Sequence, residues 1–529
     1  MVCYAYVEYD YISLHVDDEF IRGENTMKNY DVVVIGTGSA NIVLDAALSK
    51  GLTCAQIEKG KFGGTCLTRG CIPTKVMATA ADYIREIEEL SKIGVDVAPA
   101  RMNWEVVSQR VWQKIDESSD ILTYYQAADN LDIYQGTGYF TGEKILQVAM
   151  NDGKVSEEFT ADKIFIAVGA RPNLPDIDGL EQAGYLTSET LFGEKYPKKP
   201  FKSLIILGGG PIGTEFAHVF ASAGTKVTLV QHNVRLLLKE DEEVSEQLVK
   251  GLRKNGINVL LNYKPRDVRV ENGEKILTLV EKTTGEITEV RAEEIMISVG
   301  IQPNTDTLHL ENTSIETDSR GWIVTNEFLE TSAKDIWAFG DIHGEAPFRH
   351  KANYEADIVV HNIFSGHQPH DWRWARYDIV PAVTYTFPQV AHVGLTEDQA
   401  MKAGYEIATA KHHYSSTAKG FALGFNPGDD QDGFVKIVVD KKTSVLLGIH
   451  IIGPQASILL QPFVNLMNAG ETKITPVNDH IASDAVKELR ESRIIRNLDP
   501  RSVISVGETM TPHPSLSEVI MWIQYYFKG

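Results

Sequence analysis

Two stretches that each run from an apolar strand through a glycine-rich turn into a helix and a second strand predict an α/β fold with two Rossmann-like dinucleotide-binding domains. The first is YDVVVIGTGSANIVLDAALSKGLTCAQIEKG (residues 30–60), and the second is FKSLIILGGGPIGTEFAHVFASAGTKVTLVQH (residues 201–232). Between them lies GGTCLTRGCIPTK (residues 63–75), which carries two of the chain's four cysteines, Cys66 and Cys71. Two dinucleotide sites with a cysteine pair between them point to redox carriers passing electrons in series.

The elements follow in chain order. Residues 1–27 show no clear period and read as an N-terminal extension, either a mobile tail or a product of start-site choice. In the first unit, residues 32–35 are apolar throughout and suit a strand buried on both faces. Gly36 and Gly38 form the turn, Gly51 stops the helix, and the second strand ends at Glu58, where a carboxylate can hold a ribose hydroxyl. Asn41 stands where the third glycine of the fingerprint is expected, which loosens the approach of helix to strand but leaves the phosphate turn. In the second unit Gly208, Gly210 and Gly213 complete the fingerprint, and Pro211 suits a first helical turn. The strand end here is Gln231, followed by His232. Without a carboxylate to repel a 2′-phosphate, the unit leans toward NADPH over NADH.

Pro73 and the apolar period after it place Cys71 at a helix N-terminus. In a regular helix residues five apart are about 8–9 Å between Cα atoms, beyond the reach of about 7 Å that a disulfide spans. A bridge between Cys66 and Cys71 therefore needs a distorted first turn. A strained bridge at the positive end of a helix is readily reduced. The alternatives are a metal half-site or two buried thiols. A metal site lacks further ligands, since Cys3 lies in the extension and Cys54 in a strand. Lys75, one turn beyond Cys71, is either a nearby positive charge or a solvated surface lysine.

Composition bounds the rest. A chain of 529 residues has room for about three domains; its net charge of −21 disfavours nucleic-acid and anionic-membrane partners. No apolar run is long enough to cross a membrane. Four cysteines are no disulfide framework, so a reducing cytoplasm is the expected location.

GGTCLTRGCIPTK and GGGPIGTEFA, followed in order by FIAVGARPNLP, ISVGIQPNTD, TSAKDIWAFGD, VGLTEDQA and HPSLSE, resemble the FAD-dependent pyridine nucleotide–disulfide oxidoreductases. The resemblance implies an FAD-binding domain (residues 28–172 and 305–373), an NAD(P)-binding domain (173–304) and an α+β C-terminal dimerisation domain (374–529). It implies that Gly36, Gly38, Glu58, Thr65, Lys75, Gly169 and Asp341 bind FAD. Gly208, Gly210, Gly213, Gln231, His232 and Gly300 would bind NAD(H) or NADP(H). Cys71 would be the thiolate beside the flavin and Cys66 the exchanging thiol, with Lys75 and Glu215 paired nearby. His513 and Glu518 match the family's acid–base dyad, although Ser515 to Glu518 also reads as a capping box opening a final helix. In the family the dyad comes from the other subunit, which implies a homodimer. No resident metal is implied.

The activity implied is electron relay between NAD(P)H, flavin, the Cys66–Cys71 disulfide and a dithiol or disulfide substrate. Dihydrolipoamide dehydrogenase-like chemistry on a lipoyl dithiol, with a 2-oxo acid dehydrogenase complex as partner, is the first expectation. NADPH-dependent reduction of a small-thiol disulfide, as in mycothione or glutathione reductase, is the second, and a catalytically silent flavoprotein scaffold the third. No cysteine follows Cys71, which argues against a mercuric reductase or a large thioredoxin reductase. An insertion at about residues 473–510 departs from the family pattern. Within it residues 484–496 read as a charged amphipathic helix, either a surface excursion at the dimer rim or a docking element or cover over the substrate mouth.

Overall fold

The structure is a computed structural model and describes residues 27–473, 476–478, 480–491 and 494–519. The expected N-terminal extension, apart from Met27, lies outside the described residues, as does any helix continuing beyond residue 519.

The first sheet carries five strands in parallel pairs, in the order Leu131–Gly142, Cys54–Glu58, Lys28–Ile35, Phe159–Ile166 and Ile336–Ala338. Its central strand is buried on both faces because side chains alternate across a sheet. Val33 and Ile35 pack into one apolar cluster, Val32 and Val34 into another beneath the helix Ala40–Leu48. The second unit repeats the plan. Its sheet orders Glu294–Ile297, Ser203–Leu207, Lys226–Gln231 and Asn258–Leu261, all parallel.

The two glycine turns are built alike. Gly36 and Gly208 both have φ of +110°, and a Cβ would lie 2.4 Å from the Ala167 oxygen in the first and 2.2 Å from the Ser298 oxygen in the second. Only glycine fits that conformation at that approach. Gly213 is equally constrained, with a Cβ 1.9 Å from the Gly208 oxygen. At the matching place in the first unit Asn41 is buried, and its Oδ1 accepts Gln56 Nε2–H at 2.8 Å. A neighbouring strand residue thus absorbs the polar group.

The helices Cys71–Glu89 and Pro211–Ser222 join the two units side by side. Lys75 meets Glu215 (2.6 Å), Asp82 meets His218 (2.9 Å) and Arg85 Nε donates to Ser222 Oγ (2.9 Å). Beyond them stands an antiparallel sheet ordered Ala382–Thr384, Val390–Gly394, Leu446–Ile452, Phe434–Asp440 and Ile407–His413. The helices Ala456–Leu459 and Gln461–Asn468 pack Ala456, Leu460 and Val464 against its Ala391, Val393, Ile449 and Ile451.

The insertion departs from expectation twice. Its helix runs only over Asp484–Arg490, because Arg496 is drawn into the strand Arg496–Leu498, paired antiparallel with Gly470–Thr472. Nor is it a surface excursion. Ala485, Val486, Leu489 and Ile494 are buried against Phe328 and Trp374. Apolar side chains on one face of the helix account for this, since burying each is worth about 1.5–3 kcal/mol.

The turn geometry predicts that Gly36→Ala costs about 1–3 kcal/mol, the usual penalty of a strained backbone position. Gly210 has no positive φ and its Cβ would meet nothing within 4 Å, so Gly210→Ala should cost about 1 kcal/mol or less. Urea unfolding midpoints of the two variants check the contrast.

Candidate active site

The cysteine motif does not form one helix. Gly64–Thr68 is a single helical turn, the backbone breaks at Arg69 and Gly70, and Cys71 opens the helix Cys71–Glu89. Gly63 and Gly64 both take positive φ to enter the first turn. The break removes the helical spacing that would keep the cysteines apart. The Cys66 and Cys71 sulfurs and a ring nitrogen of His513 all lie within 4.8 Å of one another.

Both cysteines are free thiols, Cys66 buried and Cys71 half-buried. The Cys66 S–H donates to Cys71, and this bond, with burial, holds the Cys66 thiol well above the ordinary thiol range. The same bond brings Cys71 down to about 6 against the cost of burial, helped by the charges near His513, Lys75 and Arg349. Cys71 is therefore the thiolate at neutral pH and Cys66 its neutral donor.

His513 Nε2 stands 3.2 Å from Cys66 Sγ, and His513 Nδ1–H donates to Glu518 Oε1 at 2.7 Å. A carboxylate on Nδ1 leaves Nε2 to face the sulfur. The capping contact is present as well, since Glu518 Oε2 accepts the Ser515 N–H at 3.2 Å. One carboxylate thus serves turn and imidazole together. All these residues are in one chain, whereas the family resemblance implies that the dyad arrives from a second subunit.

A cavity of about 570 Å³ runs from the first glycine turn to the thiols. Gly36, Gly38, Glu58, Thr65, Cys66, Cys71, Lys75, Gly169, Glu215, Gly300, Asp341 and His513 all line it. Glu58 receives Thr37 Oγ1–H (2.7 Å) and Gly60 N–H (2.8 Å). Asp341 follows Gly340, which has φ of +79°, and burial raises its carboxyl above the usual range. Among the described residues no hydrogen bond reaches that carboxylate. A desolvated carboxyl facing a cavity that is also lined by the Gly36–Gly38 turn fits a polyhydroxylated dinucleotide such as FAD. Lys75 pairs with Glu215 at 2.6 Å, each carboxylate oxygen of which is used, since Oε1 accepts the Tyr385 N–H at 2.9 Å.

The second unit stands partly apart. Gly208, Gly210, Gly213, Gln231 and His232 do not line this cavity, although Pro211, Ile212 and Lys239 do. Gln231 is buried, with Oε1 on Gly209 N–H (3.1 Å) and Nε2 on the Arg235 oxygen (3.0 Å). Its side chain braces the turn from within. His232 instead meets Lys282 Nζ at 3.2 Å, so the strand end carries a cation that comes from a separate antiparallel sheet.

Four residues of the site carry no signal in the sequence motifs. Arg349 lines the cavity, its Nη1 3.8 Å from where a Gly38 Cβ would be. Tyr385 lies 4.7 Å under Lys75 Nζ and donates its hydroxyl to the Pro514 oxygen at 2.5 Å. His350 donates Nε2–H to the Pro381 oxygen and accepts the His513 N–H on Nδ1 at 3.4 Å. Burial holds it neutral, down to about 3. The fourth is Lys282. Arg349 and His350 sit in the stretch FRHKANYEA (residues 348–356), and nothing in it assigns them to the thiols.

His513 also supplies the third metal ligand that the cysteine spacing alone lacks: two sulfurs and an imidazole within 4.8 Å could hold a soft ion.

The hydrogen bond between the thiols sets a pH expectation. In the reduced protein Cys71 should be thiolate above about pH 6 and lose that charge as the pH falls through it. Cys66→Ala removes the donor, and the midpoint should rise by about 1–2 pH units, the worth of a hydrogen bond to a charged group. Thiolate absorbance at 240 nm against pH, with alkylation rates alongside, reads both.

Comparison with known proteins identifies the family. The model for pyridine nucleotide-disulphide oxidoreductases matches residues 30–356, and that for their dimerisation domain matches residues 380–488. Dihydrolipoyl dehydrogenase of Bacillus subtilis is 33% identical, covering 93% of this chain and 96% of its own. Mycothione reductase of Mycobacterium tuberculosis is also 33% identical, over 84% of this chain and 94% of its own. Mercuric reductase of Lysinibacillus sphaericus is 32% identical over 81% of this chain and 75% of its own. Among solved structures, a Cu(II) complex of the HOCl-induced flavoprotein disulfide reductase RclA of Escherichia coli superposes with a TM-score of 0.70 at 25% identity, over 95% of this chain and all of that one. Among the described residues no helix is long and apolar enough to cross a membrane. The chain belongs to the pyridine nucleotide-disulphide oxidoreductases, enzymes that use FAD and NAD(P)H.

Proposed function

We propose that this chain relays electron pairs between NAD(P)H and a dithiol or disulfide substrate, with Cys66 and Cys71 as the exchanging pair and His513 as the proton carrier. The observation that carries the reading is the 3.2 Å approach of His513 Nε2 to Cys66 Sγ beside a stabilised thiolate. The Gly36 and Gly38 turn, Glu58, Thr65, Lys75, Gly169 and Asp341 would hold FAD, which when bound would supply two-electron chemistry between the nicotinamide and the cysteine pair.

In the reductive direction Cys66 gives its S–H proton to His513 Nε2 as its sulfur attacks the substrate disulfide, forming a mixed disulfide. The S–S bond of the substrate breaks, and its leaving thiolate takes a proton from His513 Nε2. The Cys71 thiolate then attacks Cys66, closing the Cys66–Cys71 disulfide and releasing the second substrate thiolate. Two electrons have passed from the pair to the substrate. In the oxidative direction His513 takes the proton of the incoming thiol, and the same bonds form in reverse order. Glu518, by accepting the Nδ1–H, keeps Nε2 turned to the sulfur in both directions. Lys75 with Glu215 holds positive charge near Cys71.

Dihydrolipoamide-like dithiols are the first substrate reading, supported by the relative that spans nearly the whole chain. In that reading a 2-oxo acid dehydrogenase complex is the partner and the cytoplasm the location. A second reading, NADPH-driven reduction of a small-thiol disulfide, is favoured by one observation: the strand end after Gln231 carries His232 and Lys282 where a ribose diol would want a carboxylate. The domain ranges 28–172 with 305–373, 173–304 and 374–529 and a homodimer built on the last belong to the same proposal.

His513→Ala should lower kcat about 10²–10⁴-fold, the usual worth of a positioned general acid–base, and leave thiol release by NAD(P)H unchanged. Stopped-flow half-reactions separate the two, and an unchanged kcat would sink the role. Anaerobic titration with NADH and then NADPH, counting new thiols, tells the substrate readings apart. If NADPH is the partner, Lys282→Glu should raise its KM on the order of tenfold, since a hydrogen bond to a charged group is worth about 1.5–3 kcal/mol, and leave NADH unaffected.

A further inference from the structure

We propose that Lys351 and Glu355, a buried ion pair behind the cavity wall, position Asp341 for the flavin-side hydroxyls of FAD by clamping both backbone groups of Gly340. The inference rests on the reading above that Asp341 holds FAD, and it adds two residues that do not themselves line the cavity.

The strand order decides which part of a dinucleotide Asp341 can serve. Glu58 ends the strand Cys54–Glu58, Gly36 follows the strand Lys28–Ile35, and Asp341 comes just after the strand Ile336–Ala338. These strands run parallel, with Phe159–Ile166 between the last two, so the three residues lie along one edge of the sheet. At about 4.8 Å per strand, Glu58 and Asp341 are roughly 14 Å apart along that edge, on opposite sides of the Gly36 turn. A nucleotide such as ADP reaches from a ribose at Glu58 to phosphates at the glycine turn and ends there. A ligand that continues past the turn with further hydroxyls, as FAD does through its ribityl chain, meets Asp341 as well.

Behind Asp341 the helix Arg349–Phe364 presents Lys351 and Glu355, neither of which has any exposed surface. Lys351 Nζ donates to the Gly340 oxygen (2.9 Å) and to Glu355 Oε2 (3.2 Å), and the same Oε2 accepts the Gly340 N–H (2.7 Å). The other oxygen, Oε1, accepts His343 Nε2–H and the Tyr377 hydroxyl, each at 2.6 Å. The carboxylate thus has all its acceptor positions taken. Against burial, His343 and Lys351 hold it down at about 2, so it stays ionised. Asp341 is the opposite case. Burial raises its carboxyl, and among the described residues no hydrogen bond reaches it.

The clamp acts on the residue that most needs one. Gly340 has φ of +79° and no side chain, so its N–H and its oxygen are the only groups by which the turn can be gripped. An anion takes the first and a cation the second. A buried ion pair adds little stability over apolar side chains of the same volume. Apolar side chains here would take both bonds from Gly340 and free the backbone that aims Asp341. One carboxylate is therefore saturated behind the wall while the next one faces the cavity with its acceptors open.

Binding by the flavin-free full chain separates the two halves of the cofactor. Lys351→Met should raise the Kd for FAD on the order of tenfold, the worth of one hydrogen bond to a charged group. The Kd for ADP should stay within about twofold of wild type. The double variant Lys351→Met/Glu355→Leu leaves no unpaired member of the pair in the interior and should show the same split, which keeps the test valid if the single variant unfolds. Loss of ADP binding along with FAD in both variants makes the pair a general support of the fold and overturns the proposal, as does unchanged FAD binding in both. A cycle with Asp341→Asn tests whether the pair acts through Asp341. In the Asp341→Asn background Lys351→Met should change the FAD Kd by less than about twofold, and losses that multiply overturn the positioning role. If Asp341→Asn binds FAD as wild type does, the proposal falls together with the reading of Asp341. If Asp341→Asn loses FAD while Lys351→Met and the double variant keep it, the clamp alone falls and that reading stands.

Discussion

The charge on Cys71 is the constraint that the site answers. A thiolate in a cavity with apolar walls is costly unless donors and cations surround it. The Cys66 S–H supplies the shortest-range help, then His513, Lys75 and Arg349, which come from separate segments. The helix that Cys71 opens adds its positive end. The break at Arg69 and Gly70 matters for the same reason: a continuous helix would have held the donor sulfur out of reach. Lowering Cys71 while raising Cys66 separates their chemistry, so that one sulfur keeps the charge near the cofactor cavity and the other stays protonated beside the imidazole.

The glycine turns show how the same backbone device is put to two uses. Gly36 and Gly208 share one φ and one close approach to a carbonyl across the sheet. The two units part at the end of the second strand. In the first unit Glu58 stays at the cavity with Thr37 and Gly60 holding both its oxygens. In the second, Gln231 folds back onto its own turn and leaves the strand end to His232 and Lys282. The helices Cys71–Glu89 and Pro211–Ser222 then lie together, and Lys75 to Glu215 is the point at which that packing meets the thiols.

The insertion precedes the turn that holds the imidazole. Apolar burial seats its helix, a two-stranded pairing closes its neck, and polar contacts at the tip set the imidazole against sulfur. These are different kinds of force acting at different places along the segment. Burial gives most of the holding energy but little direction, while the hydrogen bond donated by Tyr385 and the one accepted by His350 give direction at little net energy.

The parts of this protein whose physics is local could be read from the chain alone. A strand buried on both faces, a turn that admits only glycine, a proline in a first helical turn and a carboxylate at a strand end are each constraints within a few residues. The two units, Cys66, Cys71, Glu58 and the order of the family motifs were therefore legible directly. The capping contact of Ser515 and Glu518 was legible for the same reason. Side chains that meet across hundreds of residues were not. His513 reaches Cys66, Tyr385 binds both Glu215 and Pro514, and Lys282 crosses from another sheet to His232. Periodicity says which face of an element is apolar, and the insertion's short helix carried that sign, but it does not say which surface will cover the face. That choice was made by Phe328 and Trp374. It was settled in the packed molecule, because the contact depends on where several layers come to rest against one another.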